Sequence, residues 1–352
     1  MSFECTFPWT GMTIDPSGMI NVCCTYRKKR TAPLGNISDV DDLEEFFLGD
    51  SYTELRANFK DGFRKNPRCT DCHKADFGVS SVAHASIPYS RFKGLQYLEL
   101  TTSNVCNQSC ATCSSYASSK WIKLNPIFNI TDQPMKAWSI SDKDFDKILK
   151  VIPILKEVHI KGGEPFADMN NLKIIKAVRE TNPMCKIQIC SNFQMIPDAF
   201  IEELKHCKKV HISASVDAIG KRFDWIRGGD FKQVEYNIDN FYAITGVKPT
   251  LVPCVSIYNI HHLREIYDWA QTKKSVKFPE IRNVVKWPVF QCAGNILSQE
   301  EIDKTISDQF DDIKHKFNAI ALYNIKATPS LSVQKQLKNF NDTMDTVRGF
   351  SL

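Results

Sequence analysis

Three cysteines, Cys106, Cys110 and Cys113, lie in the stretch VCNQSCATCSS (105–115), with three residues and then two between them. Thiolates at such short spacing are soft metal ligands by type. A closed structural zinc site takes four protein ligands, commonly as two pairs. Here no fourth cysteine follows; Ser114, Ser115 and Tyr116 do. A four-iron cubane held by three thiolates keeps one iron free of protein, and that iron can take a small molecule. The spacing also differs from the ferredoxin run, in which two, two and three residues separate the cysteines and proline follows the last.

A second candidate is IKGGEPF (160–166), with Gly162, Gly163, Glu164 and Pro165 in a row. Glycines let backbone approach a ligand closely, and a carboxylate accepts hydrogen bonds from an ammonium group. By itself such a run also makes a simple turn. Further polar residues close later apolar runs: Ser191 and Asn192, Ser215 and Asp217, and Asn259. Arg227 follows in FDWIRGGDFKQV, and its guanidinium fork suits a carboxylate partner. Each has a plain alternative: Asp217 as turn former or helix cap, Arg227 in a surface ion pair, Asn259 as a turn residue.

The elements that must position these residues alternate regularly. Strands are predicted over 94–103, 186–192, 208–217, 250–259 and 277–287, the last with prolines inside it, and 156–165 reads as strand then glycine turn. Helices are predicted over 141–152, with Ser141 as N-cap, and over 170–180, 198–207, 231–244 and 261–271. Another spans 297–317 and opens on a capping box of Ser298 and Glu301. Strands joined by helical crossovers run parallel, so the expected fold is α/β: a partial (β/α)6 barrel of mainly parallel strands. In such sheets the reactive groups sit on loops after the strands' carboxyl ends, where both candidate loops fall.

The first 90 residues read differently. GMTIDPSGMINVCC makes two short strands about a turn, DVDDLEEFF is helix-like, and Cys69 and Cys72 form a terminal pair. With Cys5 and Cys23 they complete a set of four, in a small cysteine-rich α+β module. From spacing alone that set closes either a zinc site or an iron–sulfur cluster, and Cys24 competes with Cys23. The predicted division is 1–90, 91–290 and a C-terminal helical segment over 291–352.

The cysteine loop and the Gly-Gly-Glu-Pro turn, in this order after successive strands, resemble the motifs of the radical S-adenosylmethionine (radical SAM) superfamily. The resemblance implies a [4Fe-4S] cluster on Cys106, Cys110 and Cys113 whose open iron binds SAM, with Glu164 receiving the SAM ammonium group. It places Thr112, Gly162, Gly163, Pro165, Ser191, Asn192, Ser215, Asp217, Arg227 and Asn259 around the cofactor, with Arg227 on its carboxylate. Thr112 departs from the family, which usually has an aromatic residue there. The N-terminal pattern is similar to twitch and SPASM modules, which the family usually carries after the barrel. That implies an auxiliary [4Fe-4S] cluster on Cys5, Cys23, Cys69 and Cys72. The implied activity is reductive cleavage of SAM to a 5′-deoxyadenosyl radical that abstracts a substrate hydrogen. The implied outcome is oxidation or cross-linking of a peptide, or dehydrogenation of a small alcohol, with a flavodoxin or ferredoxin as electron donor. Cys254 and Cys292, near late strands, become candidate hydrogen donors.

Composition sets the remaining limits. The chain has 352 residues, a net charge of +5 and 13 cysteines, an odd number that cannot all pair as disulfides. The only tight basic run is RKKR (27–30), a weak basis for nucleic-acid contact. Neither a targeting signal nor a membrane-spanning run is read, so a soluble, cytoplasmic protein with no membrane partner is expected. The rival reading is a non-catalytic protein with zinc or cluster sites on an α/β scaffold, contacting nucleic acid or a protein partner.

Overall fold

A computed structural model describes residues 4–24, 26, 33–59, 69, 84–85, 94–311, 321–322 and 325–352. The chain forms two compact units: Met1–Asn104, Trp138–Ile189 and Glu202–Val210 make the first, and Val105–Ala137, Cys190–Ile201 and His211–Leu352 the second.

In the first unit, β1 (Glu4–Cys5) pairs antiparallel with β5 (His84–Ala85). Helix α1 (Phe7–Thr10) leads into β2 (Gly11–Ile14), which turns back as β3 (Met19–Asn21), flanked by β4 (Gly35–Asn36). The turn is built by Asp15, whose Oδ1 accepts from the backbone N–H of Ser17 (2.8 Å) and Met19 (3.2 Å). The acidic segment forms α2 (Leu43–Leu48), capped by the Asp42 side chain, and continues as α3 (Asp50–Ala57). The predicted strands and helices follow: β6 (Tyr97–Thr101), α4 (Asp142–Val151), β7 (Glu157–Lys161), α5 (Met169–Thr181) and β8 (Lys186–Ser191).

Strands β2, β6, β7 and β8 are parallel and in register. Ile14, Leu100, Ile160 and Ile189 stand in one row, and Met12, Leu98, Val158 and Ile187 in the row two residues earlier; all eight are buried. This period of two is what a strand with one face in the core requires. On the opposite face Glu99 is buried but paired, 2.8 Å from Lys161 Nζ and 3.2 Å from Tyr97 Oη. Because β2 lies beside β6, the cysteine-rich N-terminal segment and the first long strand share one compact unit.

The second unit holds the end of β8, half of α6 (Asp198–Lys205), most of β9 (Val210–Ala214), and then α7 (Gly220–Arg227) and α8 (Phe231–Thr245). The predicted strand at 250–259 is two short ones, β10 (Thr250–Leu251), parallel to β9, and β11 (Cys254–Val255). Pro253 separates them, since proline cannot donate to a ladder. The last predicted strand shrinks to β12 (Asn283–Val284), parallel to β11 in a sheet of their own. Helices α9 (Leu263–Gln271), α10 (Ala293–Ile296), α11 (Gln299–Phe310) and α12 (Leu331–Arg348) complete it, α11 with the expected capping box. The fold is α/β with a mostly parallel sheet, as expected. Among the described residues, no helix is long and apolar enough to cross a membrane.

Candidate cluster site

The three-cysteine loop has no ladder of its own, so its buried backbone groups need partners from elsewhere. They find them within the second unit. The N–H of Ala111 donates to Ile226 O (2.6 Å), and Ala111 O accepts from Gln291 Nε2 (2.8 Å). Cys110 O accepts from Trp121 Nε1 (2.8 Å), and Gln108 O from Ser118 Oγ (2.6 Å). Ser109 is gripped by Arg348, whose Nη2 donates to its carbonyl (2.6 Å) and Nη1 to its hydroxyl (3.0 Å). Cys106 and Cys110 are buried; Thr112 and Cys113 are half-buried.

Burial, with the charges of Cys110 and Cys106, pushes the Cys113 thiol up to about 12. Burial also raises Cys110, against the fields of Arg227 and Arg348. Buried thiols raised in this way ionise side by side only with a strong positive centre, and metal ligation requires the thiolates. Among the described residues, no three His, Cys, Asp or Glu side chains converge tightly enough for a single ion. A cubane instead asks each thiolate to meet a different iron, a demand that these three donors meet in type and number.

Beside the thiols lies an ion pair. The Arg227 side chain is 13% exposed, and its Nη1 sits 2.9 Å from Asp217 Oδ2. Burial pulls the Arg227 pKa down, but the charges of Cys110 and Asp217 outweigh it and hold the guanidinium ionised. Its Nε is buried and makes no hydrogen bond. An unsatisfied cationic N–H in a buried setting is costly, which marks a place for an anionic group. Asp217 is itself held from three directions: Oδ1 accepts from Cys254 N (2.7 Å), Oδ2 from Arg227, and its carbonyl from Asn259 Nδ2 (2.8 Å). Asn259 also bonds Cys254 O and Ser256 N, so it braces this turn.

At the end of β8, Ser191 Oγ accepts from Phe193 N, which stabilises the positive φ of 56° at Phe193. Ser215 N donates to Ser191 O (2.9 Å). Asn192 Nδ2 donates to Asn107 Oδ1 (2.8 Å) and lies 4.0 Å from Cys106 Sγ. The second unit therefore gathers Cys106, Cys110, Cys113, Asn192, Asp217, Arg227 and Asn259 around one set of strand ends.

The first unit carries the other two groups of candidates. Gly162 has φ +150°, and a Cβ there would lie 2.9 Å from Ser103 O, so only glycine fits. Gly163 N donates to Ser103 O (3.3 Å). Glu164 is 2% exposed and its Oε1 accepts from Phe166 N, while Asn171 Nδ2 holds Pro165 O (2.9 Å). Of the N-terminal cysteines, Cys5 and Cys23 are half-buried, Cys24 is exposed and Cys69 is buried. Cys72, like the basic run at 27–30, lies outside the described residues.

The braces Trp121, Gln291 and Arg348 escaped the sequence reading. Nothing in local spacing points to them, because Gln291 and Arg348 are 180 and 239 residues from their partners.

Residues 100–270 match the radical SAM superfamily, and residues 5–73 match the SPASM iron–sulfur cluster-binding domain. No curated protein matches the sequence. Among solved structures, native anSMEcpe with bound AdoMet is similar at 18% identity and a TM-score of 0.48, over 66% of this chain and 64% of that one. Streptococcus suis SuiB bound to precursor peptide SuiA is similar at 16% identity and a TM-score of 0.46, over 78% and 53%. The radical S-adenosylmethionine methyltransferase TsrM from Kitasatospora setae is similar at 10% identity and a TM-score of 0.37, over 53% and 35%. The chain thus spans less than two thirds of each of these.

Proposed function

We propose, on the premise that this chain joins a radical SAM domain to an N-terminal SPASM iron–sulfur domain, that it is an enzyme cleaving SAM to start hydrogen abstraction from a substrate. Its cofactors are [4Fe-4S] clusters and SAM. When bound, they supply one electron and a 5′-deoxyadenosyl radical able to take hydrogen from an unactivated C–H bond.

The chain's own residues bind, orient and charge-balance. Cys106, Cys110 and Cys113 hold the SAM-binding cluster as thiolates. Arg227 offers its unpaired Nε–H to an anionic group, which we assign as the SAM carboxylate, and Asp217 fixes the guanidinium for it. Glu164 accepts from the SAM ammonium group, and Gly162 and Gly163 leave the backbone open there. Thr112, Pro165, Ser191, Asn192, Ser215 and Asn259 shape the strand ends around them. Cys5, Cys23, Cys69 and Cys72 hold the auxiliary cluster. The substrate is a peptide or a small alcohol, which would lose a hydrogen atom to the 5′-deoxyadenosyl radical and a second electron to the auxiliary cluster, and so be oxidised or cross-linked.

The observation that carries this reading is three thiols on a fully braced loop beside a buried guanidinium with an unsatisfied N–H. The test is anaerobic reconstitution, iron and sulfide counting, and incubation with SAM and dithionite. Formation of 5′-deoxyadenosine is expected. Tightly bound zinc with no SAM turnover sinks the proposal. Deuterium passing into 5′-deoxyadenosine from a labelled peptide or a labelled alcohol distinguishes the substrate classes.

A further inference from the structure

Helix α12 lies beyond the residues that match the radical SAM domain, yet it reaches the cysteine loop twice. Phe340 stacks on Trp121, with ring centroids 6.4 Å apart and planes at 21°, and Trp121 holds Cys110 O. Eight residues on, about 12 Å along the helix, Arg348 grips Ser109 through both the carbonyl and the hydroxyl. Its Nε donates to Trp225 O (2.9 Å), one of the last carbonyls of α7, where a cation is favoured by the helix dipole. Asp345, one turn back, accepts from Trp225 Nε1 (2.7 Å). Gly228, with φ +64°, makes room for the guanidinium: a Cβ there would lie 2.6 Å from Arg348 Nη1.

We propose that Arg348 is a positioning residue for the SAM-binding cluster: it locks the loop at Ser109 and places a second positive charge, besides Arg227, beside Cys110, raising the reduction potential of a cluster held there. This rests on the function proposed above. The charge is not a distant one. Burial lowers the Arg348 pKa and the Cys110 field opposes that, so cation and thiolate interact in partly dry surroundings. Reduction adds one negative charge to the cluster, from a low-potential donor such as dithionite. A nearby fixed cation therefore favours the reduced form more than the oxidised one. Arg227 is already committed to Asp217, which offsets part of its charge, whereas Arg348 donates to carbonyls and a hydroxyl.

The test is a redox titration of the anaerobically reconstituted full chain, following the electron paramagnetic resonance signal that Cys110→Ala removes. Arg348→Gln should lower the reduced fraction about tenfold at fixed poise, a potential about 59 mV more negative, while Arg348→Lys stays within about threefold of wild type. An unchanged potential in Arg348→Gln overturns the proposal, as does an equal fall in both variants, because the lost fork rather than the charge would then be responsible. If Arg348→Gln takes up no iron at this site, Arg348→Lys decides: a wild-type potential sustains the charge role and a tenfold fall removes it. Wild-type protein lacking the signal overturns the proposed function along with this inference; a signal indifferent to Arg348 overturns this inference alone.

Discussion

The two cysteine groups of this chain are held in different ways. Cys106, Cys110 and Cys113 sit on one short loop, and side chains from three separate parts of the second unit tie down its backbone. Cys5, Cys23 and Cys69 sit on three separate stretches of the first unit: a two-residue strand, the end of a hairpin, and a position far along the chain. The first group is preorganised by the fold. For the second we propose assembly around what it binds, because closing such long loops costs chain entropy that metal binding must offset. Preorganisation belongs where a cluster must present an open iron in one orientation, while a closed set of four can tolerate assembly on binding.

The largest effect that would test this contrast comes from replacing Cys106, Cys110 and Cys113 together by alanine. SAM cleavage should vanish in a 5′-deoxyadenosine assay, while the iron of the N-terminal group and its visible absorbance remain. Loss of both would show that the groups are not independent.

Gly162→Ala should be next. The side chain would press on Ser103 O in a backbone region that L residues rarely adopt, which costs about 1–3 kcal/mol. Thermal unfolding should register that loss, and SAM binding should weaken even where the cluster loads fully.

Trp121→Phe keeps the stack on Phe340 but strands Cys110 O, a buried carbonyl, at a cost of about 1–3 kcal/mol. We expect slower cluster uptake and lower chemical stability, with the N-terminal cluster untouched. If uptake is unaffected, the claim that the loop is preorganised loses its main support.

The smallest effect separates two neighbours. Cys24→Ala should leave iron content unchanged, since Cys24 is exposed, whereas Cys23→Ala should remove the auxiliary cluster's iron. The reverse outcome would move the ligand by one residue, from Cys23 to Cys24.

What could be read from the sequence was what is local. The Cys-x3-Cys-x2-Cys spacing, the glycine turn, the Ser141 cap and the Ser298–Glu301 box each need only a few neighbouring residues. The cores of β6 to β9 are likewise legible as short apolar runs. The strand expected over 250–259 fails at Pro253, whose missing N–H is a signal that the apolar run around it masked. Asn259 looked like a cofactor residue or a plain turn former, and the structure shows the turn it makes: it clasps Asp217 and Cys254. The braces of the cysteine loop were invisible because a hydrogen bond across 239 residues leaves no periodic trace.

The parallel pairing of β2 with β6 has a practical consequence. A strand at the rim of a sheet presents unmatched N–H and C=O groups that recruit other chains. In this protein β2 covers that side of β6. Trimming the N-terminal cysteine segment to isolate the region that matches the radical SAM superfamily would uncover the β6 backbone from Tyr97 to Leu100, and the shortened protein should self-associate.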